Sequence, residues 1–215
     1  MPQSDFRPVA KAEGSLGAWS KLAITLRFLA TGAKYQAEVW ETPSTEDAWW
    51  EVAQQLQNKW NFPHCRGALD GKHIAIQKPP KSGTLYYNFK GFFCTVMLAL
   101  VDAYYKFLWV DVGANGASSD AGIFNRSQLE PALRQGTLGL PPQDPLPNDD
   151  QDTPYFIVGD DAFPLRTYLM KPYSHRYLSR QERICNYRFS RGRRVVENAF
   201  GILANCFRCL LTTWD

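Results

Sequence analysis

Apolar residues recur along the chain in changing rhythms. Leu22, Ile24, Leu26 and Leu29 are too dense for a solvent-exposed helix, so the stretch from Ala18 to Gly32 is expected to be helical and packed on something. Trp49, Val52, Leu56 and Trp60 then recur at spacings of three and four, the apolar face of a second helix. Ser44 or Thr45 can cap its start, and Glu46 and Asp47 in its first turn suit the positive end of the helix dipole.

The middle of the chain reads as strands. Gly67 to Ile76 is one, and Phe92 to Asp102 is a long β-branched and apolar run suited to the centre of a sheet. A turn at Asp102-Ala103-Tyr104 leads into Phe107 to Val112, so these two strands should form a hairpin. Ser127 to Gln135 is a helical patch, with Leu129 and Leu133 on one side. Leu138 to Pro154, where five prolines sit among acids, is the nearest thing to a linker. Tyr155 to Val158 is a short buried strand ending in Gly159-Asp160-Asp161. The last helix is expected from about Arg191 to Leu211, with Val195, Phe200, Leu203 and Phe207 as its core face. After a helical N-terminal segment the order is therefore β-β-β-α-β-α. Three meandering strands, a crossover helix and a further strand make an α/β mixed sheet with helices on its faces.

Composition narrows the class. A chain of 215 residues suits one domain with a small appendage, and 45% apolar with 21% charged residues excludes wholesale disorder. The net charge of +3 does not by itself imply nucleic acid. Five cysteines, an odd number, with no leader before them argue against a secreted disulfide framework. Cys206 and Cys209 form one CxxC with no second pair, so reduced thiols are expected rather than a zinc site. The longest apolar run, Cys94 to Val101, is far short of the ~20 residues that span a bilayer, and no membrane role is expected. Met1 to Asp5 lack a basic-then-apolar leader, so the reading is an intracellular soluble protein.

Three acids stand at meaningful places. Asp70 lies in Gly67-Ala68-Leu69-Asp70-Gly71, Asp160 directly follows the last strand, and Glu197 lies in the last helix between Val195-Val196 and Ala199-Phe200. A crossover returning the fourth strand beside the first, in parallel, would bring Asp70 and Asp160 together, and the last helix could point Glu197 at both. Three close carboxylates repel and have raised pKa values unless cations neutralise them. Oxygen-only ligands suit Mg²⁺ or Mn²⁺, and two such ions clamp the attacking and leaving oxygens of a phosphoryl displacement. The bland alternative stays open at this point: Asp after a strand is a common turn former, and Glu197 could be a surface residue paired with Arg193 or Arg194.

Charge is segregated. From Arg166 to Glu197 there are nine Lys and Arg against Glu182 and Glu197, so the segment carries +7. Tyr173, Tyr177, Tyr187 and Phe189 are interleaved, and Arg forks with aromatics suit a phosphate backbone and exposed bases. The same cations could instead balance residues 144–161, which hold six Asp and no Lys or Arg.

These residues also carry a resemblance. Gly67-Ala68-Leu69-Asp70-Gly71-Lys72-His73-Ile74 and Tyr86-Tyr87-Asn88-Phe89-Lys90-Gly91-Phe92-Phe93 resemble the PIF/Harbinger class of transposase and the nucleases derived from it. So do Ser119-Asp120-Ala121-Gly122-Ile123-Phe124, Val158-Gly159-Asp160-Asp161-Ala162-Phe163-Pro164-Leu165 and Arg194-Val195-Val196-Glu197-Asn198-Ala199-Phe200-Gly201. The match runs in order from about Trp49 to Phe207.

The resemblance implies a DDE superfamily endonuclease with an RNase H-like core, cutting DNA with Mg²⁺ or Mn²⁺. Asp70, Asp160 and Glu197 take the catalytic and metal positions, and Asp120 matches a further acid that recurs in the family, a fourth metal contact. Read alone, Asp120 could equally cap the helix beginning near Ala121. Asp161 stands where the family often has Glu, so Asp160 is preferred as the ligand. Arg188, Arg191, Arg193 and Arg194 would hold the DNA backbone. A nuclear location and a separate DNA-binding partner protein are further implications. The rival is a catalytically silent descendant that binds DNA or a partner. Residues 1–48 read as an arm with a shortened helix-turn-helix remnant, and 49–215 as the endonuclease domain, expected to be C-terminally truncated. His73 is expected on the opposite strand face from Asp70, in a packing or hydrogen-bonding role. Ser82-Gly83-Thr84 is a loop without the GxxxxGK pattern, so ATP use is not supported.

Overall fold

The computed structural model describes residues 42–207 and Leu210, all within one compact unit. The helix expected over 18–32 lies outside the described residues. Helix α1, Glu46–Trp60, starts at Thr45, whose side-chain oxygen accepts from the Ala48 N–H at 3.3 Å. It stops at Asn61 in the left-handed conformation, whose N–H closes the last turn on Leu56 and Gln57. Its buried face is Trp49, Val52, Ala53 and Leu56.

Strands β1 (Cys65–Ala75), β2 (Cys94–Val101) and β3 (Phe107–Asn115) form an antiparallel meander. All of β2 is buried, as an unbroken apolar run between two strands should be. Helices α2 (Asp120–Arg126) and α3 (Leu129–Gln135) follow. They lead to a two-stranded ribbon, β4 (Asp144–Pro145) with β5 (Asp152–Thr153). Strand β6 (Phe156–Val158) returns parallel to β1, and β7 (Leu169–Met170) pairs parallel to β6. The five-stranded sheet thus has the order β3-β2-β1-β6-β7. Helix α4, Arg180–Cys206, packs on β1, β2 and β6. This is the mixed α/β, RNase H-like arrangement expected from the sequence, with β1 at its centre.

The helical patch expected at 127–135 is α3, and the helix expected to begin near Ala121 is α2; between them Ser127 Oγ donates to the Phe124 carbonyl at 2.8 Å. Elsewhere local expectations are corrected. The linker at 138–154 contains the β4–β5 ribbon, where Asp144 accepts from the Tyr155 hydroxyl and lies 3.1 Å from His64 Nε2. Strand β7 is too short to leave a periodic signal. The last helix begins at Arg180, not near Arg191, and ends at Cys206, not Leu211. Its first turns bury nothing before Phe189, so no apolar period marks them. The signal present is a capping box: Ser179 Oγ accepts from the Glu182 N–H, and Glu182 accepts from the Ser179 N–H.

Gly192 sets how closely α4 approaches. A Cβ there would stand 2.6 Å from the Phe62 ring, which packs edge-on against Phe189 and Phe156. No helix among the described residues is long and apolar enough to cross a membrane.

Candidate active site

Parallel register brings the first two acids together. Ala68 of β1 pairs with Val158 of β6, and Asp70 and Asp160 each lie two residues beyond that pair. Asp120 comes from the opposite direction, as the first residue of α2 behind its cap Ser119, whose Oγ accepts from Gly122 at 3.2 Å. So Asp120 opens that helix and Ser119 caps it. The Asp120 carboxylate lies directly over Gly71, where any Cβ would collide with it. One of its oxygens, Oδ1, is buried with no hydrogen-bond partner.

The three carboxyls act on one another. Burial pushes the Asp70 pKa up to about 6; the Gly71 N–H and the Arg193 charge work against this, and Asp120 and Asp160 add to it. Asp120 is also raised, first by burial and then by Asp160, with Lys90 opposing. Asp160 accepts from the Ala162 N–H at 3.0 Å. Its neighbour Asp161 turns outwards, 3.2 Å from Lys171 Nζ.

Glu197 lies on α4, more than two turns before its end. Its side chain is 54% exposed, and Oε1 is 3.8 Å from Arg193 Nη2 one turn back on α4. Val195, Val196, Ala199 and Phe200 face the core, and each residue turns a helix by about 100°, so the residue after Val196 rotates out of that face. Arg193 links the two regions: its side chain is only 23% exposed, its Nε is buried without a partner, and its charge acts on Asp70 as well as pairing with Glu197.

The basic residues divide accordingly. Arg188 and Arg194 are exposed. Arg191 is half-buried with its guanidinium 5.9 Å from the Tyr187 ring. Arg193 is largely buried and pairs with Glu197. His73 Nδ1 lies 3.1 Å from Cys94 Sγ. Lys90, whose charge reaches Asp120, is the residue the sequence reading missed. A signal existed: between Asp70 and Asp102 the chain holds Lys72, Lys78, Lys81 and Lys90 and no acid.

The DDE superfamily endonuclease family matches residues 69–214, over half of the chain, and spans Asp70, Asp120, Asp160 and Glu197. The chain belongs to the DDE superfamily endonucleases. It is similar to "Protein ALP1-like" of Arabidopsis thaliana, 25% identical over 189 residues, which is 87% of this chain and 46% of that protein. It is also similar to "Putative nuclease HARBI1" of Rattus norvegicus, 26% identical over 78% of this chain and 44% of that one. The human protein of the same name is 28% identical over 69% of this chain and 38% of its own length. The chain thus spans less than half the length of these curated relatives. No solved structure gives a significant match. Membership in the DDE endonucleases agrees with the PIF/Harbinger resemblance of the motifs.

In this member of the DDE superfamily the donor chemistry fits a hard divalent cation. All three converging side chains offer oxygen, one of those oxygens is buried and unsatisfied, and the raised Asp70 and Asp120 would be relieved by a cation. In the present side-chain positions, no three acid, imidazole or thiol groups among the described residues enclose an ion.

Proposed function

We propose that the chain is a metal-dependent DNA endonuclease of transposase descent. The observation that carries this is the convergence of Asp70, Asp120 and Asp160 from β1, α2 and the end of β6, against which burial and mutual repulsion hold Asp70 at about 6. Carboxylates are rarely buried together without a cation to offset them. Asp70, Asp120 and Asp160 would hold Mg²⁺ or Mn²⁺, and Glu197 is the fourth acid that the resemblance supplies. When bound, such ions activate water or a DNA 3′-hydroxyl and stabilise the departing oxygen of the phosphodiester.

The chain's own groups do the rest. Gly71 leaves room for Asp120 to reach β1. Arg193 offsets the Asp70 charge before a cation arrives. Lys90 beside Asp120, and Arg188, Arg191 and Arg194 along α4, supply positive charge for the phosphate backbone. Residues 49–215 would form the endonuclease unit, residues 1–48 a DNA-reading remnant helped by a separate DNA-binding partner, and the site of action would be the nucleus.

Nicking of supercoiled plasmid with Mg²⁺ or Mn²⁺ tests the reading. Wild type is expected to nick and Asp70→Ala to be inactive. An intact plasmid with wild type, alongside retained DNA binding, would instead favour a catalytically silent descendant.

A further inference from the structure

The segment between β1 and β2 holds the one exposed phenylalanine among the described residues. Phe89 is 84% exposed. Unlike the tyrosines exposed elsewhere, it has no hydroxyl for water to bond. A lone exposed apolar side chain is ordinary, so exposure alone would mean nothing. Three further observations give it meaning.

The first is rigidity. Asn88 is buried, and its Oδ1 accepts from the N–H groups of Lys90 and Phe92 at 3.0 and 3.2 Å, while its Nδ2 donates to Cys94 Sγ at 3.2 Å. The Asn88 N–H donates to Phe92 O, and the Gly91 N–H returns to Asn88 O, with Gly91 at φ 84°. This tight turn is fastened to the sheet by Cys94 N–H to Tyr86 O at 2.8 Å. Phe89 is thus presented by a fixed frame and not by a loose loop.

The second is place. The Phe89 ring meets the His73 ring edge-on at 5.8 Å, and His73 lies on β1 three residues after Asp70. The next residue, Lys90, reaches Asp120 with its charge. The third is sign: residues 71–101 carry four Lys and no acid, a stretch suited to a polyanion.

Resting on the endonuclease reading above, we propose that Phe89 is a stacking platform for a nucleobase displaced from the duplex beside the scissile phosphate, with Lys90 holding the adjoining phosphate. A flat, exposed ring on a rigid turn offers a displaced base the face it loses on leaving the helix. Lys90 Nζ lies over the Phe89 ring, 5.5 Å from its centroid, so a base on the exposed ring and its phosphate on Lys90 can be engaged together. The cost of displacement is least for a base that is already unpaired, which makes the platform measurable.

The test is DNA binding by the full chain in EDTA, on a paired duplex and on the same duplex with one mismatch carrying 2-aminopurine. Wild type should prefer the mismatched duplex by about ten-fold, the equivalent of one base–aromatic stack, and should change the 2-aminopurine emission. Phe89→Ala should bind both duplexes alike and lose the emission change, while Phe89→Trp keeps both. Because Phe89 is exposed, neither variant should alter the melting temperature. No mismatch preference in wild type, or the same preference in Phe89→Ala, would overturn the proposal and leave the ring to a protein partner. Without metal no cleavage is read, so failure of the endonuclease reading shows separately, as uncut plasmid in Mg²⁺.

Discussion

Asp120 rests its carboxylate over the α-carbon of Gly71, so β1 can carry no side chain at the position after Asp70. A helix start and a strand meet at that point, and the buried Asp120 Oδ1 has no partner there. Gly71→Ala should therefore push Asp120 away from Asp70. Overpacking of this kind costs about 1–3 kcal/mol, so a lower melting temperature is expected together with weaker Mn²⁺ binding by calorimetry. Unchanged Mn²⁺ affinity would show that Asp120 is not among the ligands.

The metal-free protein should lose stability as pH rises through about 6. Asp70 has a folded pKa of about 6, above the ordinary carboxylate value, so the folded state holds its proton more tightly than the unfolded chain. That contribution is complete below about pH 4 and is lost as pH climbs through 6, up to on the order of 3 kcal/mol. Asp70→Asn, always neutral, should flatten this part of the pH–stability curve measured by urea unfolding in EDTA. An identical slope in the variant would place the titration elsewhere.

Arg193 is the cation that offsets Asp70 and pairs with Glu197. Removing it as Arg193→Gln leaves the acids more dependent on an added ion. Mn²⁺ should then bind several-fold tighter, as expected when about one pK unit or less of opposing charge is removed. Weaker binding would mean that Arg193 shapes the site and does not compete with the ion.

Glu197→Gln should abolish Mg²⁺-supported nicking while sparing the fold. Its side chain is over half exposed and its ion pair with Arg193 is a 3.8 Å contact, so a change within about 0.5 kcal/mol in stability is expected. DNA affinity in EDTA should hold or rise slightly with one negative charge gone. Equal nicking by variant and wild type would remove Glu197 from the mechanism and leave the three aspartates to act alone.

DNA binding should be dominated by phosphate contacts and weakly selective for sequence. Each phosphate neutralised on duplex DNA adds about 0.9 to the slope of log affinity against log salt. Arg188→Ala and Arg194→Ala, both on the exposed side of α4, should each lower that slope by about one. Affinity that ignores salt would count against the interface.

Much of the frame could be read from the sequence because its signals are local. Trp49, Val52, Leu56 and their cap Thr45 define α1 within one turn, and the unbroken apolar run of β2 announces a strand with neighbours on both sides. Short strands and polar helical turns leave no such period: β7 has two residues, and the first turns of α4 bury nothing. There the capping box at Ser179 and Glu182 was the legible mark, carried by polar residues.

The sequence by itself determined which acids the chain owns and that the fourth strand of the meander-and-crossover order would return beside β1. A right-handed crossover leaves little choice once the elements are known, so Asp70 and Asp160 could be paired from topology. Tertiary structure alone decided that Asp120 sits over Gly71, that Arg193 is largely buried with its charge acting on Asp70, and that Glu197 pairs with Arg193 while over half exposed. The physical reason is phase. A strand's register fixes a side chain to one of two faces, whereas a helix turns each residue by about 100°, so packing chooses which of its neighbours reach the site.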